Sequence, residues 1–148
     1  MRKLWLIIVI ATVILTGFIL KTKPAVKTKR LTIGNKVTIE VNIADTNQKR
    51  AKGYSNHPKI GYNEGLLFVF EQPNVYPFWM KEMLFDLDFI FIRDGRVIYL
   101  LENIKAPINN QGEVEYAISE KPFDRLLEVK AGFIDKYKIK ISDFIALE

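Results

Sequence analysis

Asp94-Gly95 stands between two runs of β-prone residues, Phe85–Arg93 and Arg96–Glu102. A two-residue type I′ turn needs positive φ at both central positions, and Asp-Gly accepts it readily. The stretch therefore predicts a tight hairpin with Arg93 and Arg96 as its last pair. Counting back from that pair sets Phe91 opposite Ile98, Ile90 opposite Tyr99 and Asp88 opposite Leu101. Both faces of this hairpin are largely apolar, which suits the interior of a sandwich or barrel and not an open sheet with one wet face.

The rest of the chain fits that frame. Lys36–Ala44 alternates, with Val37, Ile39, Val41 and Ile43 on one side, and reads as a half-buried strand. Asp45–Gly53 predicts a short helix: Asp45 is the N-cap candidate, Gln48 completes a capping box, and Gly53 suits the left-handed C′ position. Gly65–Glu71 is a continuous apolar run suited to a strand buried on both faces. Pro73 and Pro77 bracket a break. Glu115–Ile118, Leu126–Val129 and Asp143–Leu147 read as short strands, and Ala131–Tyr137 has helical spacing. About six strands and two short helices without strand–helix alternation point to an α+β, mainly β domain, sandwich- or barrel-like. Asn103–Pro122, with Asn109-Asn110 and Gln111-Gly112, is a long irregular connection of the kind that often carries function.

Ahead of this lies a different region. Residues 4–20 contain no charge, and a helix over them would be about 25 Å long, near the ~30 Å of a hydrocarbon core. The segment runs into Lys21-Thr22-Lys23-Pro24 without a small-x-small cleavage pattern, so an uncleaved anchor is favoured over a signal peptide. The chain then divides into a membrane anchor or signal segment (1–21), a basic linker (22–35) and one β-rich domain (36–148). The lipid bilayer is the partner expected for residues 4–20.

The net charge of +5 belongs to the first part. Residues 1–30 carry seven basic and no acidic residues; the remaining 15 basic and 17 acidic residues leave the domain slightly negative. A nucleic-acid-binding domain needs its own basic excess, so that class is excluded. The absence of cysteine removes disulfides, a thiol nucleophile and thiolate metal sites. A single histidine, His57, cannot build a multi-histidine metal site, and no nucleophile elbow surrounds Ser55. No cofactor and no metal are expected.

Arg50-x-x-Gly53, Gly65-Leu66-Leu67-Phe68-Val69-Phe70, Phe78-Trp79-Met80-Lys81 and Leu87-Asp88-x-Ile90-Phe91-Ile92, closed by Leu127-Glu128-Val129-x-x-Gly132 and Ile141-Ser142-Asp143, together resemble the prokaryotic family called domain of unknown function 192. The resemblance spans residues 36–147. It departs at Tyr54-Ser55, His57, Glu82-Met83 and Asp86. It implies a small β-rich fold outside the cytoplasm, behind an anchor or export signal, and brings no established activity. Charge counting around the apolar segment slightly favours a cytoplasmic domain; the family habit favours the extracytoplasmic side of the cell membrane.

Two constellations could carry chemistry. Asp86-x-Asp88 places two carboxylates on one strand face, where they could act as acid and base or meet a cation, with Glu82 near in sequence. The plainer reading is a structural pair hydrogen-bonded to Lys81, Arg50 or backbone. Phe78-Trp79-Met80-Lys81, if extended, sends Trp79 and Lys81 to one side, where the indole could floor a site for a sugar-like ligand; the plainer reading is a core tryptophan. The site expected is therefore Arg50, Trp79, Lys81, Asp86 and Asp88. The function expected is a binding domain for a small polar ligand or envelope component. The alternatives are a hydrolase-type enzyme using Asp86 and Asp88, and a domain that docks a partner through the 103–122 loop.

Overall fold

A computed structural model describes residues 28–107 and 114–148. The anchor at 4–20, residues 22–27 of the linker, and Asn109-Asn110 and Gln111-Gly112 lie outside the described residues. Among the described residues no helix is long and apolar enough to cross a membrane.

The chain forms β1 (Lys29–Ile33), β2 (Val37–Ala44), α1 (Asn47–Lys52), β3 (Glu64–Asn74), β4 (Phe78–Trp79), β5 (Leu87–Arg93), β6 (Arg96–Ile104), β7 (Tyr116–Ala117), β8 (Phe123–Lys130), α2 (Phe133–Tyr137) and β9 (Ile145–Leu147). Seven strands make one curled half-barrel sheet in the order β6-β5-β8-β3-β2-β1-β9, and β4 pairs with β7 as a separate ribbon. The fold is mainly β with two short helices. The curl brings the outermost strands together: Val97 N–H donates to Asp143 O at 2.9 Å, and Ile145 N–H to Gly95 O at 2.8 Å. Edge groups of β6 are thereby capped by the chain entering β9.

The period of two explains the layering. On β3, β5 and β8, Leu67, Ile90, Ile92, Leu127 and Val129 point to the concave side, where they join Leu31, Ile39, Val41 and Phe133 of α2 in one buried cluster. Their neighbours Leu66, Phe68, Phe89, Phe91 and Leu126 point to the other side, into a second cluster with Met80, Met83 and Phe123. The continuous apolar runs follow from this: the central strands are covered on both faces.

Several sequence expectations are corrected. β1 lies inside the stretch read as linker, because Leu31 and Ile33 are buried between β2 and β9; the ordered domain begins before residue 36. β2 and β3 pair in parallel through the α1 crossover, a strand–helix–strand unit that the element pattern did not suggest. The N-cap of α1 is Thr46, whose hydroxyl accepts from Lys49 N–H, while Asp45 pairs with Lys49 at 2.7 Å. β3 continues through Pro73, where its pairing with β8 is interrupted between Val69 and Asn74.

The hairpin turn forms as read, with φ of 51° at Asp94 and 70° at Gly95 and with Arg93 opposite Arg96. Its register then slips. Phe91 faces Tyr99, Ile90 faces Leu100 and Phe89 faces Leu101, because an irregularity interrupts the ladder between Phe91 and Ile92; a second, between Leu87 and Phe89, sets Leu87 opposite Ile104. A bulge adds a residue to one strand and re-aims every side chain beyond it.

Candidate functional site

A cleft of about 630 Å³ opens on the convex face of the sheet, between α1, the outer half of β3 and the segment leading into β4. Six aromatic side chains line it: Tyr54, Phe68, Phe70, Tyr76, Phe78 and Trp79. They brace one another. Phe70 stacks on Tyr76 with ring centres 4.0 Å apart, and Phe68 meets Phe78 edge-on at 5.0 Å. β4 alternates as expected. Met80 just beyond it is fully buried, whereas Trp79 is 53% exposed, so it is not the core residue of the plainer reading. It stands beside Tyr116 across the β4–β7 ribbon.

Arg50 enters the cleft from α1. Its guanidinium lies over the Phe70 ring, 5.1 Å from the centroid. One arm donates to Val69 O at 2.8 Å and another to Asn47 Oδ1. Those contacts hold it at the wall.

The floor carries a residue absent from the expected site. Glu128 sits on β8 between Leu66 of β3 and Phe89 of β5, on the same face as Leu126. It is 6% exposed, and its Oε2 has no hydrogen-bond partner. Burial pushes its pKa up to about 8, so the carboxyl is mostly protonated at neutral pH. Gly53 brings backbone close to it: at φ 49° this residue ends α1, and a Cβ there would stand 4.0 Å from Oε2. The adjacent Tyr54 phenol is also driven up, first by burial and then by the charges of Glu128 and Glu64.

Asp86 and Asp88 are placed elsewhere, and neither lines the cleft. Asp88 shares the concave face with Ile90 and Ile92 and is fully buried. Its Oδ1 accepts from Asn103 N–H at 2.8 Å and its Oδ2 from Ile134 N–H at 2.9 Å. One carboxylate thus satisfies the second β6 irregularity, where Asn103 has φ 57°, and the start of α2. Asp86 accepts Lys105 Nζ at 2.7 Å and Ala106 N–H at 3.0 Å. Burial raises its pKa, but the Lys105 and Ala106 hydrogen bonds and the Lys105 charge outweigh that and leave it lowered. Lys81 is exposed, two residues past Trp79 but outside the cleft lining. Arg50 and Trp79 therefore meet in one cleft, while Asp86, Asp88 and Lys81 do not join them.

Other candidates resolve into structure. His57 packs against Tyr54, ring centres 5.5 Å apart. Glu82 accepts from Asn56 Nδ2. Among the described residues no group of three or more acidic or histidine side chains is placed to hold a metal ion. Glu128 did leave a signal in the sequence: an acid flanked by Leu127 and Val129 within the strand Phe123–Lys130, which also carries Asp124.

The DUF192 family model, described as "Uncharacterized ACR", matches residues 29–147. A search of curated proteins gives no match. Two solved structures share the fold. One, described as a candidate transcription regulator of Sinorhizobium meliloti 1021, is 21% identical with a TM-score of 0.74; the alignment covers 84% of this chain and 97% of that one. The other, a protein of unknown function from Novosphingobium aromaticivorans DSM 12444, is 24% identical with a TM-score of 0.72, covering 84% of this chain and 89% of that one.

Proposed function

The chain belongs to the DUF192 family, and on that premise we propose that its domain is a binding module that takes a small polar ligand into the cleft between α1, β3 and β4. The observation that carries this reading is the Glu128 carboxyl, buried at the floor with an unpartnered oxygen. A buried polar atom left unmatched costs about 1–3 kcal/mol; Asn42 Oδ1 and Asp124 Oδ1 are also unpartnered among the described residues, but of the three residues only Glu128 lines the cleft. The aromatic walls, the exposed Trp79 and the fixed Arg50 supply the shape and orienting groups of a small-molecule site. The uncharged segment at 4–20 supports a tether or export signal, and the family habit then favours a domain working at the extracytoplasmic face on a small envelope-derived ligand. A hydrolase built on Asp86 and Asp88 draws no support from carboxylates whose oxygens already serve backbone N–H groups and Lys105. The regulator name of one structural neighbour finds no echo in a domain without basic excess.

A second reading rests on its own observation. Trp79 (53%), Tyr116 (60%) and Ile118 (50%) are exposed on and just after the β4–β7 ribbon, an apolar patch of the kind that docks a partner. The two readings separate by mutation. With a panel of sugars and envelope fragments, Trp79→Ala and Glu128→Gln are expected to abolish a ligand-induced thermal shift, while Tyr116→Ala leaves it unchanged. Trp79→Ala itself should alter stability by no more than about 0.5 kcal/mol, because the ring is half in solvent. A shift lost with Tyr116→Ala but kept with Glu128→Gln would move the function to the ribbon.

A further inference from the structure

We propose that the ligand carries a protonated amine, which pairs with the unpartnered Glu128 carboxyl at the cleft floor. This rests on the cleft reading above and names the chemistry that the cleft selects.

The argument starts from what Glu128 lacks. Its Oε2 is buried without a donor. The cation nearest in kind is Arg50, but its guanidinium is committed to Val69 O, Asn47 Oδ1 and the face of Phe70. Of the elements packed around the carboxyl only α1 brings cations, and neither pairs with it among the described residues. β3 places Leu66 beside it and Phe68 in the wall, with Glu71 further out. β5 places Phe89 beside it. α1 contributes Arg50 and Lys52, the turn after it Tyr54, and the approach to β4 Tyr76. Among these described groups none gives Glu128 a counter-charge, and the raised pKa traces to burial alone.

The walls then choose among donors. A neutral hydroxyl could satisfy Oε2, but the aromatic lining beside the carboxyl favours a cation wherever a ring presents its negative face, as Phe70 already does to Arg50. An ammonium entering this cleft meets that field and forms a charge-assisted pair, stronger than the neutral hydrogen bond a hydroxyl would give. The proton balance is simple. Glu128 passes its proton to solvent as the amine, already protonated, takes its place as the partner of the carboxylate.

Glucosamine and glucose make a matched pair of probes, differing by an ammonium in place of one hydroxyl on the same ring. Binding to the full chain is read at the Trp79 indole signal by NMR, and proton release by calorimetry in two buffers of different ionisation enthalpy. The expected result is at least roughly tenfold tighter binding of glucosamine at pH 7, accompanied by proton release. Both differences should vanish in Glu128→Gln, which keeps the shape of the protonated acid. If that variant does not fold, proton release by the unaltered chain decides the matter. Equal binding of both sugars without proton release would overturn the amine and leave the cleft standing. An unmoved indole signal with either sugar would overturn both.

Discussion

The two buried carboxyls, Asp88 and Glu128, sit one strand apart on opposite faces of one sheet, and they are treated in opposite ways. Asp88 on the concave face is fully enclosed and has both oxygens matched by backbone N–H groups. Glu128 on the convex face is almost as enclosed and keeps an orphan oxygen beside an open cleft. Burial alone therefore does not separate a structural acid from a functional one. What separates them is whether the fold itself supplies the partners. Asp88 belongs to the folding of the hairpin and α2, and Glu128 is left for something outside the chain.

The contrast can be broken most forcefully at Asp88. Asp88→Ala strands the N–H groups of Asn103 and Ile134 in the interior, and each unmatched donor costs about 1–3 kcal/mol. A loss near 4 kcal/mol in urea unfolding is expected; a loss under about 1 kcal/mol would mean that the two acids are alike after all.

Glu128 predicts the opposite sign. Its pKa is raised on folding from 4.5 to about 8, so between those values the folded state holds a proton that the unfolded state has released. Stability from this group falls as pH rises through that window and levels off above it. Asp86 and Asp143, whose pKa values are lowered, act only below about pH 4, where acid removes their contribution. Glu128→Gln should flatten the slope between pH 5 and 8 and raise stability at pH 9 by on the order of 3 kcal/mol. Unfolding midpoints across pH check this, and an unchanged slope would remove Glu128 from the argument.

The smallest effect belongs to Asp86. Its partner Lys105 is 62% exposed, so the pair is screened by water. Asn can still accept from Ala106 N–H. Asp86→Asn should therefore cost less than about 1 kcal/mol and leave ligand binding intact. A loss of binding would return Asp86 to the site.

The sequence made the elements more legible than their partners. Asp94-Gly95 and the apolar runs gave the hairpin and the central strands because turn chemistry and period are local. The slipped register, the parallel β2–β3 pair and the place of β8 between β3 and β5 depend on bulges and on contacts far along the chain. The same division runs through the site. Trp79 was marked by its alternation with Met80, and Arg50 by the family pattern. Asp88 drew attention as a carboxylate among isoleucines, and it is indeed buried, but its partners come from residues 15 and 46 positions away. Glu128 holds a like position, an acid between Leu127 and Val129, but was not among the residues expected to form the site. Only the three-dimensional structure shows that it meets a cleft where Asp88 meets backbone.

The most direct test is the titration of the Glu128 side-chain carboxyl by carbon-13 NMR in the free protein, with Glu128→Gln to assign the signal. A midpoint near pH 8 is expected for a carboxyl buried without a counter-charge. A midpoint near 4.5 would mean that water or a cation already serves that oxygen, and would contradict the site proposed for it.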